Sequence, residues 1–182
     1  KAQIEGYTNF DRELAPGANV KTVMAGVKSR DLYQVKPNDL VVIEGFNPRT
    51  QDAAYFAGIE DLAQNMLAHG YMQDKPLSGY ITKSDGKDVI AVNDGHRRLA
   101  AVKRAIELGA PIKTIPLVLK ERSDTMADLT ISLLHSNEGL PFNMYEKSVI
   151  AKRLKSYGWS NADIAKEMRC TTAFVGELLT LA

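Results

Sequence analysis

The spacing of apolar residues changes character once along this chain, near residues 121–124, and that change restricts the fold more than any other feature. Before it, short β-branched runs alternate with two stretches of helical spacing. After it, apolar residues recur every three to four positions as far as the C-terminus. The pattern predicts an α+β chain: an N-terminal arm over 1–30, broken at Pro16-Gly17, a small mixed-sheet domain over 31–122 and an all-helical domain over 123–182. Within the middle part, 32–35 and 40–43 read as strands on either side of Lys36-Pro37-Asn38-Asp39. The segments 77–81 and 89–92 read as a hairpin, because Asp85-Gly86 suits the left-handed positions of a tight turn. A further strand is expected at 114–119. Helices are expected at 59–69 and 95–108, closed by Gly70 and Gly109, and then at 124–136, 144–157, 161–168 and 172–182.

Charge narrows the function. The 182 residues hold 23 Lys and Arg against 22 Asp and Glu, a formal net charge of +1. Bulk charge therefore cannot coat nucleic acid, and any such binding needs a local basic face. A single cysteine, Cys170, excludes an intrachain disulfide and makes a reducing cytoplasm the expected compartment. No apolar run approaches the roughly 20 residues of a membrane span, and no signal peptide opens the chain. A start at Lys1 instead of Met is expected of a fragment or a processed form.

The sharpest local feature is Val92-Asn93-Asp94-Gly95-His96-Arg97-Arg98-Leu99, in which a strand ends, a glycine turns and a helix begins. The free N–H groups of a helix N-terminus favour anions, so His96, Arg97 and Arg98 stand at the end where cations are unfavourable. Two explanations remain open. A phosphate or polyphosphate is cradled there and clamped by arginine, or Arg97 and Arg98 pair with surface carboxylates such as Asp94.

Strand, Gly-His-Arg-Arg and an Ala100-Ala101 helix together resemble the arginine-rich box of the ParB family, usually Gly-Glu-Arg-Arg. Asn47-Pro48-Arg49 is similar to that family's early Asn-Pro-Arg. Gly70 with Gln73 through Leu77 resembles its Gly, then Gln-Pro-Ile segment. Ser136-Asn137-Glu138-Gly139-Leu140-Pro141 resembles a third-box variant of phage and mobile-element relatives. The resemblance covers about 31–182. It implies a ParB/sulfiredoxin-like nucleotide-binding fold followed by a helix-turn-helix domain, with CTP, or another nucleoside triphosphate, bound with Mg2+. Carried over, Gly95, Arg97 and Arg98 would hold the triphosphate with His96 in the same turn, Asn137 would sit near the phosphates and the metal, and Gly70, Gln73 and Pro76 would face the base. No cysteine occupies the turn, which excludes sulfiredoxin-type chemistry. The family's third box usually carries a glutamate and a following arginine. Here Ser136 replaces the glutamate and no arginine precedes Lys147, so hydrolysis is expected to be slow or absent, with Glu138 the one candidate catalytic group.

In the helical part, Ser160-Asn161-Ala162-Asp163 is a capping signal and Thr171 or Thr172 caps the next helix. The two short helices fit a helix-turn-helix in which Arg169 takes the place of the usual turn glycine. The expected recognition helix has no Lys or Arg and offers Thr171, Thr172, Gly176 and Glu177 to DNA. Lys147, Lys152, Arg153 and Lys155 belong to a basic stretch, 147–169, with six basic residues against Asp163 and Glu167. That stretch is either a DNA-backbone contact or an ordinary solvated face. Asn143 and Glu146 have capping-box spacing, and three scattered histidines make no zinc site. The resulting expectation is a ParB-like protein that binds double-stranded DNA, as a homodimer, in plasmid or phage partition or related regulation, with a possible partition ATPase as partner. It would be cytoplasmic and associated with nucleoid or plasmid. The alternatives are a ParB-fold nuclease or nucleotide hydrolase, for which Asp94 is the only acid beside the turn, and a transcription regulator with a degenerate nucleotide site. The chain ends inside the expected recognition helix, so a C-terminal dimerisation domain of the family's kind is expected to be either missing from this sequence or never present.

Overall fold

The computed structural model describes residues 24–27, 30–120, 124–136 and 140–181. The chain divides into two units, Lys1–Asp31 and Leu32–Ala182. The expected arm falls almost wholly outside the described residues, and everything below concerns the second unit.

Asp85 and Gly86 both take positive φ, 48° and 76°, as the tight hairpin turn requires. They join β3 (Leu77–Ser84) to β4 (Lys87–Asp94), with Ile81 opposite Ile90 in the antiparallel register. Three shorter strands complete a mixed sheet: β1 (Tyr33–Val35), β2 (Leu40–Val41) and β5 (Ile115–Leu119). The spatial order is β1-β5-β3-β4-β2. β5 runs parallel to β3 and β2 parallel to β4, so the hairpin is central and is extended on both sides.

Helix α1 (Ala53–His69) begins six residues before the expected start, because the carboxylate of Asp52 accepts from the Tyr55 N–H and caps it. Helix α2 (His96–Glu107) follows β4 directly. Both helices cover the sheet over a core that includes Ala63, Met66, Leu77, Val92, Leu99, Val102, Ile115 and Leu117.

Four helices follow: α3 (Met126–Ser136), α4 (Met144–Ser156), α5 (Asn161–Glu167) and α6 (Thr172–Thr180). Asn143 and Glu146 form a reciprocal capping box on α4, Ser160 caps α5 and Thr171 caps α6. Arg169, in the tight connection between α5 and α6, sits at φ 53°. A left-handed residue belongs at that corner and a β-carbon is tolerated there at some cost. A second core joins these helices through Leu133, Ile150, Leu154, Ile164, Val175 and Leu178. Phe46, from the segment after β2, is buried in that same core, with Ile43 and Tyr80 packed against it. The helices are thus seated on the loop 43–50 and on one face of the hairpin.

Candidate functional site

Gly95 joins β4 to α2 at φ 101°, in the left-handed region. A Cβ there would lie 2.8 Å from Cγ of buried Leu77, so both conformation and space require glycine. No side chain caps α2 and no acid stands in its first turn, although the Leu99 N–H already bonds to the Gly95 carbonyl. The first N–H groups of this helix therefore face a cleft of about 180 Å³, lined by Asn47, Arg49, Asp94, Arg97, Leu133 and Ser136 among others.

The two arginines of the turn are held differently. Arg98 donates to the carbonyls of Lys75 (2.8 Å) and Pro76 (2.9 Å) and pairs with Asp94 at 3.2 Å. It ties the entry of β3 to the exit of β4. Arg97 reaches the other way, over α1 at Gly58, and its Nε is buried without a hydrogen-bond partner among the described residues. The explanation by pairing thus holds for Arg98, which satisfies carbonyls and a carboxylate, and not for the Nε of Arg97.

Arg97 lies close enough to Arg49 to disfavour the charge of Arg49. Burial is the larger influence lowering its basicity, and Glu146 opposes it. Its guanidinium donates to the Pro141 carbonyl at 3.2 Å and to the Leu140 carbonyl, lies 4.2 Å from the Phe142 ring centre and pairs with Glu146 at 3.4 Å. Glu146 also accepts from the backbone N–H groups of Thr50 (2.7 Å) and Asn143 (2.9 Å). Tyr55 on α1 feels both guanidiniums, which offset the burial that pushes its phenol up.

His96 departs from the expectation of a third cation. It is 8% exposed, its ring lies 6.2 Å from that of Phe46, and burial pushes its pKa down to about 4 against the opposing charge of Asp94. At neutral pH it is an uncharged imidazole, with Nε2 buried and unpartnered among the described residues, as is Oδ1 of fully buried Asn93. Pro76 meets the turn through its carbonyl, whereas Gly70 and Gln73 line a different cavity of about 410 Å³ at the far end of α1. Ser136 lines the cleft but donates to the Leu133 carbonyl. Asn137 and Glu138 lie outside the described residues.

Of the residues expected to meet DNA, Thr171, Thr172 and Glu177 are exposed and Gly176 has open space above it. Lys152 and Lys155 are exposed, bonded to the Leu181 carbonyl and the Asn161 side chain, and Lys147 is half-buried. Arg153 is engaged elsewhere. It donates to the carbonyls of Gly45 (2.6 Å) and Phe46 (2.8 Å), lies over the Phe46 ring, and is desolvated enough to lower its basicity.

No protein-family model matches the chain, and no curated protein matches it. Solved structures do. The C-terminally truncated chromosome-partitioning protein ParB from Caulobacter crescentus, complexed to the centromeric parS site, is 20% identical with a TM-score of 0.54, over 82% of this chain and 73% of that one. The same protein complexed with CTP-gamma-S is 20% identical with a TM-score of 0.45, over 82% and 77%. The chain has the ParB fold. On that fold, sequence reasoning missed Tyr55 and Gly58. Both precede the apolar stripe by which α1 was recognised, and only the cap at Asp52 could have signalled that α1 reaches back to them.

Proposed function

We propose that this chain is a ParB-like DNA-binding protein whose Gly95–Arg98 turn binds a nucleoside triphosphate of the CTP type as a switch. One observation carries the reading. The buried Nε of Arg97 has no protein partner among the described residues, and it stands beside a second guanidinium at an uncapped helix N-terminus, an arrangement that suits an anion. DNA would be met by the α5–α6 pair, with Thr171, Thr172, Gly176 and Glu177 toward the bases and Lys152 and Lys155 toward phosphates. The switch would act in a homodimer serving plasmid or phage partition or related regulation, with a partition ATPase as partner, in the cytoplasm on nucleoid or plasmid. Among the described residues no helix is long and apolar enough to cross a membrane.

For the expected Mg2+, no three His, Cys, Asp or Glu side chains come together among the described residues and Asp94 is paired with Arg98, while Asn137, the residue expected beside the metal, lies outside the described residues. Turnover near background is proposed as well, since Ser136 stands where the family's third box usually has a glutamate and its hydroxyl donates to the Leu133 carbonyl. A phosphate-release assay with CTP and DNA checks that, and robust turnover lost in Glu138→Ala would refute it. The binding itself is tested by titration calorimetry with CTP, ATP and GTP, each with and without Mg2+. Binding of one triphosphate, weakened about 30-fold or more in Arg97→Ala, is the expected result. No heat at millimolar nucleotide would leave a DNA-binding regulator with a degenerate cleft.

A further inference from the structure

Helix α1 lines the cleft through Leu62, and Tyr55 and Gly58 share that face at helical spacing i, i+3, i+7, with Gly58 against the Arg97 guanidinium. The middle residue has a property that the fold of α1 does not call for. Gly58 lies inside a 17-residue helix, its φ is ordinary, and glycine in a helix interior is less favourable than alanine. What its missing side chain provides is room. A Cβ at Gly58 would overlap Nη2 of Arg97 and lie 3.3 Å from Cζ and 3.8 Å from Nε. The guanidinium of Arg97 therefore rests on the bare backbone of α1. In that seat Nε is buried and unpartnered, and the charge is held beside Arg49 and Tyr55.

We infer that Gly58 is a positioning residue for the anion site: it seats the Arg97 guanidinium in the cleft, and any side chain there would displace the guanidinium without disturbing the fold. The second half follows from which atoms collide. They belong to the far end of a flexible side chain and to no backbone, so the arginine moves and the helix stays. The consequence runs against ordinary helix energetics. Gly58→Ala removes a poor helix former from a helix interior, which should raise Tm by about 2–4 °C, while Arg97 no longer reaches the ligand. A role confined to packing predicts no change in affinity, or a loss in step with stability.

This inference rests on the anion reading of the cleft, and the experiment separates the two. Titration calorimetry with CTP and Mg2+ is run on the intact chain, on Gly58→Ala, on Arg97→Ala and on the double variant, with thermal melts of each. Expected is a weakening of about tenfold or more in Gly58→Ala at equal or higher Tm, and a double variant no weaker than Arg97→Ala alone, because Gly58 acts only through Arg97. Additive losses, or wild-type affinity in Gly58→Ala, would overturn the positioning role and leave the anion reading intact. A second readout needs no ligand: the Arg97 Nε–H resonance in 15N spectra, identified by its absence in Arg97→Lys. Its position should move in Gly58→Ala. An unchanged resonance overturns the inference. A moved resonance in a chain that binds no triphosphate upholds the seat and refutes the anion reading instead.

Discussion

Arg97 and Arg98 are chemically identical neighbours, and their surroundings assign them opposite sensitivities. Arg98 satisfies the carbonyls of Lys75 and Pro76, so Arg98→Ala should cost about 1–3 kcal/mol in chemical denaturation. Arg97→Ala, which strips no acceptor of its donor, should leave stability within about 0.5 kcal/mol. Equal losses in the two variants would refute the distinction. His96 makes a pH prediction with a definite sign. Its folded pKa, about 4, lies below the ordinary 6.5, so between those values the unfolded chain binds the extra proton. The stability that His96 contributes is fully present above about pH 6.5 and falls as pH drops toward 4, by up to about 3 kcal/mol. Denaturation midpoints from pH 7 to 4 should show a steeper decline for the wild type than for His96→Leu, which has nothing to titrate; parallel curves would show that His96 is not held neutral. That the turn would matter was legible in Gly95-His96-Arg97-Arg98. Which arginine is paired was not, because the deciding carbonyls come from Lys75 and Pro76, some twenty residues away, and the deciding space from Gly58.

Among the elements, the segment 43–50 ties the sheet to the helices. Phe46 enters the helical core, Arg153 reaches back to its carbonyl, and Glu146 receives Thr50 and Arg49 while capping its own helix. The side chains of Arg49 and Glu146 are 7% and 5% exposed, so removing one leaves the other buried without its ion-pair partner. Glu146→Ala should therefore destabilise by about 3–5 kcal/mol, well beyond the ~1 kcal/mol of a lost helix cap. A loss near 1 kcal/mol in urea denaturation would mean that the ion pair contributes nothing beyond the capping box. Asn143 and Glu146 announced their cap by spacing alone, and the caps at Ser160 and Thr171 were equally readable, since each is settled within four residues. Asn47-Pro48-Arg49 could be read only as a segment similar to a family's Asn-Pro-Arg, with no contact assigned to Arg49, because its partners lie nearly a hundred residues away.

At the scale of the whole molecule, the mixed sheet followed by helices could be read from the change of apolar period, and the basic stretch 147–169 from composition. Composition could not say how that charge is divided. Lys152 and Lys155 on α4 are exposed, while Arg153 between them turns inward to Gly45 and Phe46, because α4 must present one face to the core and one to water. If the proposed DNA contact follows α4, the two lysines and the arginine should separate in experiment. Lys152→Ala with Lys155→Ala should weaken binding on all sequences alike and flatten the slope of log K against log salt by about 0.9 for each phosphate no longer neutralised. Melting temperature should hold, because exposed lysines contribute little to folding. Arg153→Ala should do the reverse, lowering stability by about 1–3 kcal/mol as two carbonyls lose their donor, with the salt slope unchanged for the fraction that remains folded. Fluorescence anisotropy at four salt concentrations, beside thermal melts, reads both quantities. A slope that falls in Arg153→Ala but not in the double lysine variant would place the DNA on the opposite face of α4 and refute the arrangement proposed for it.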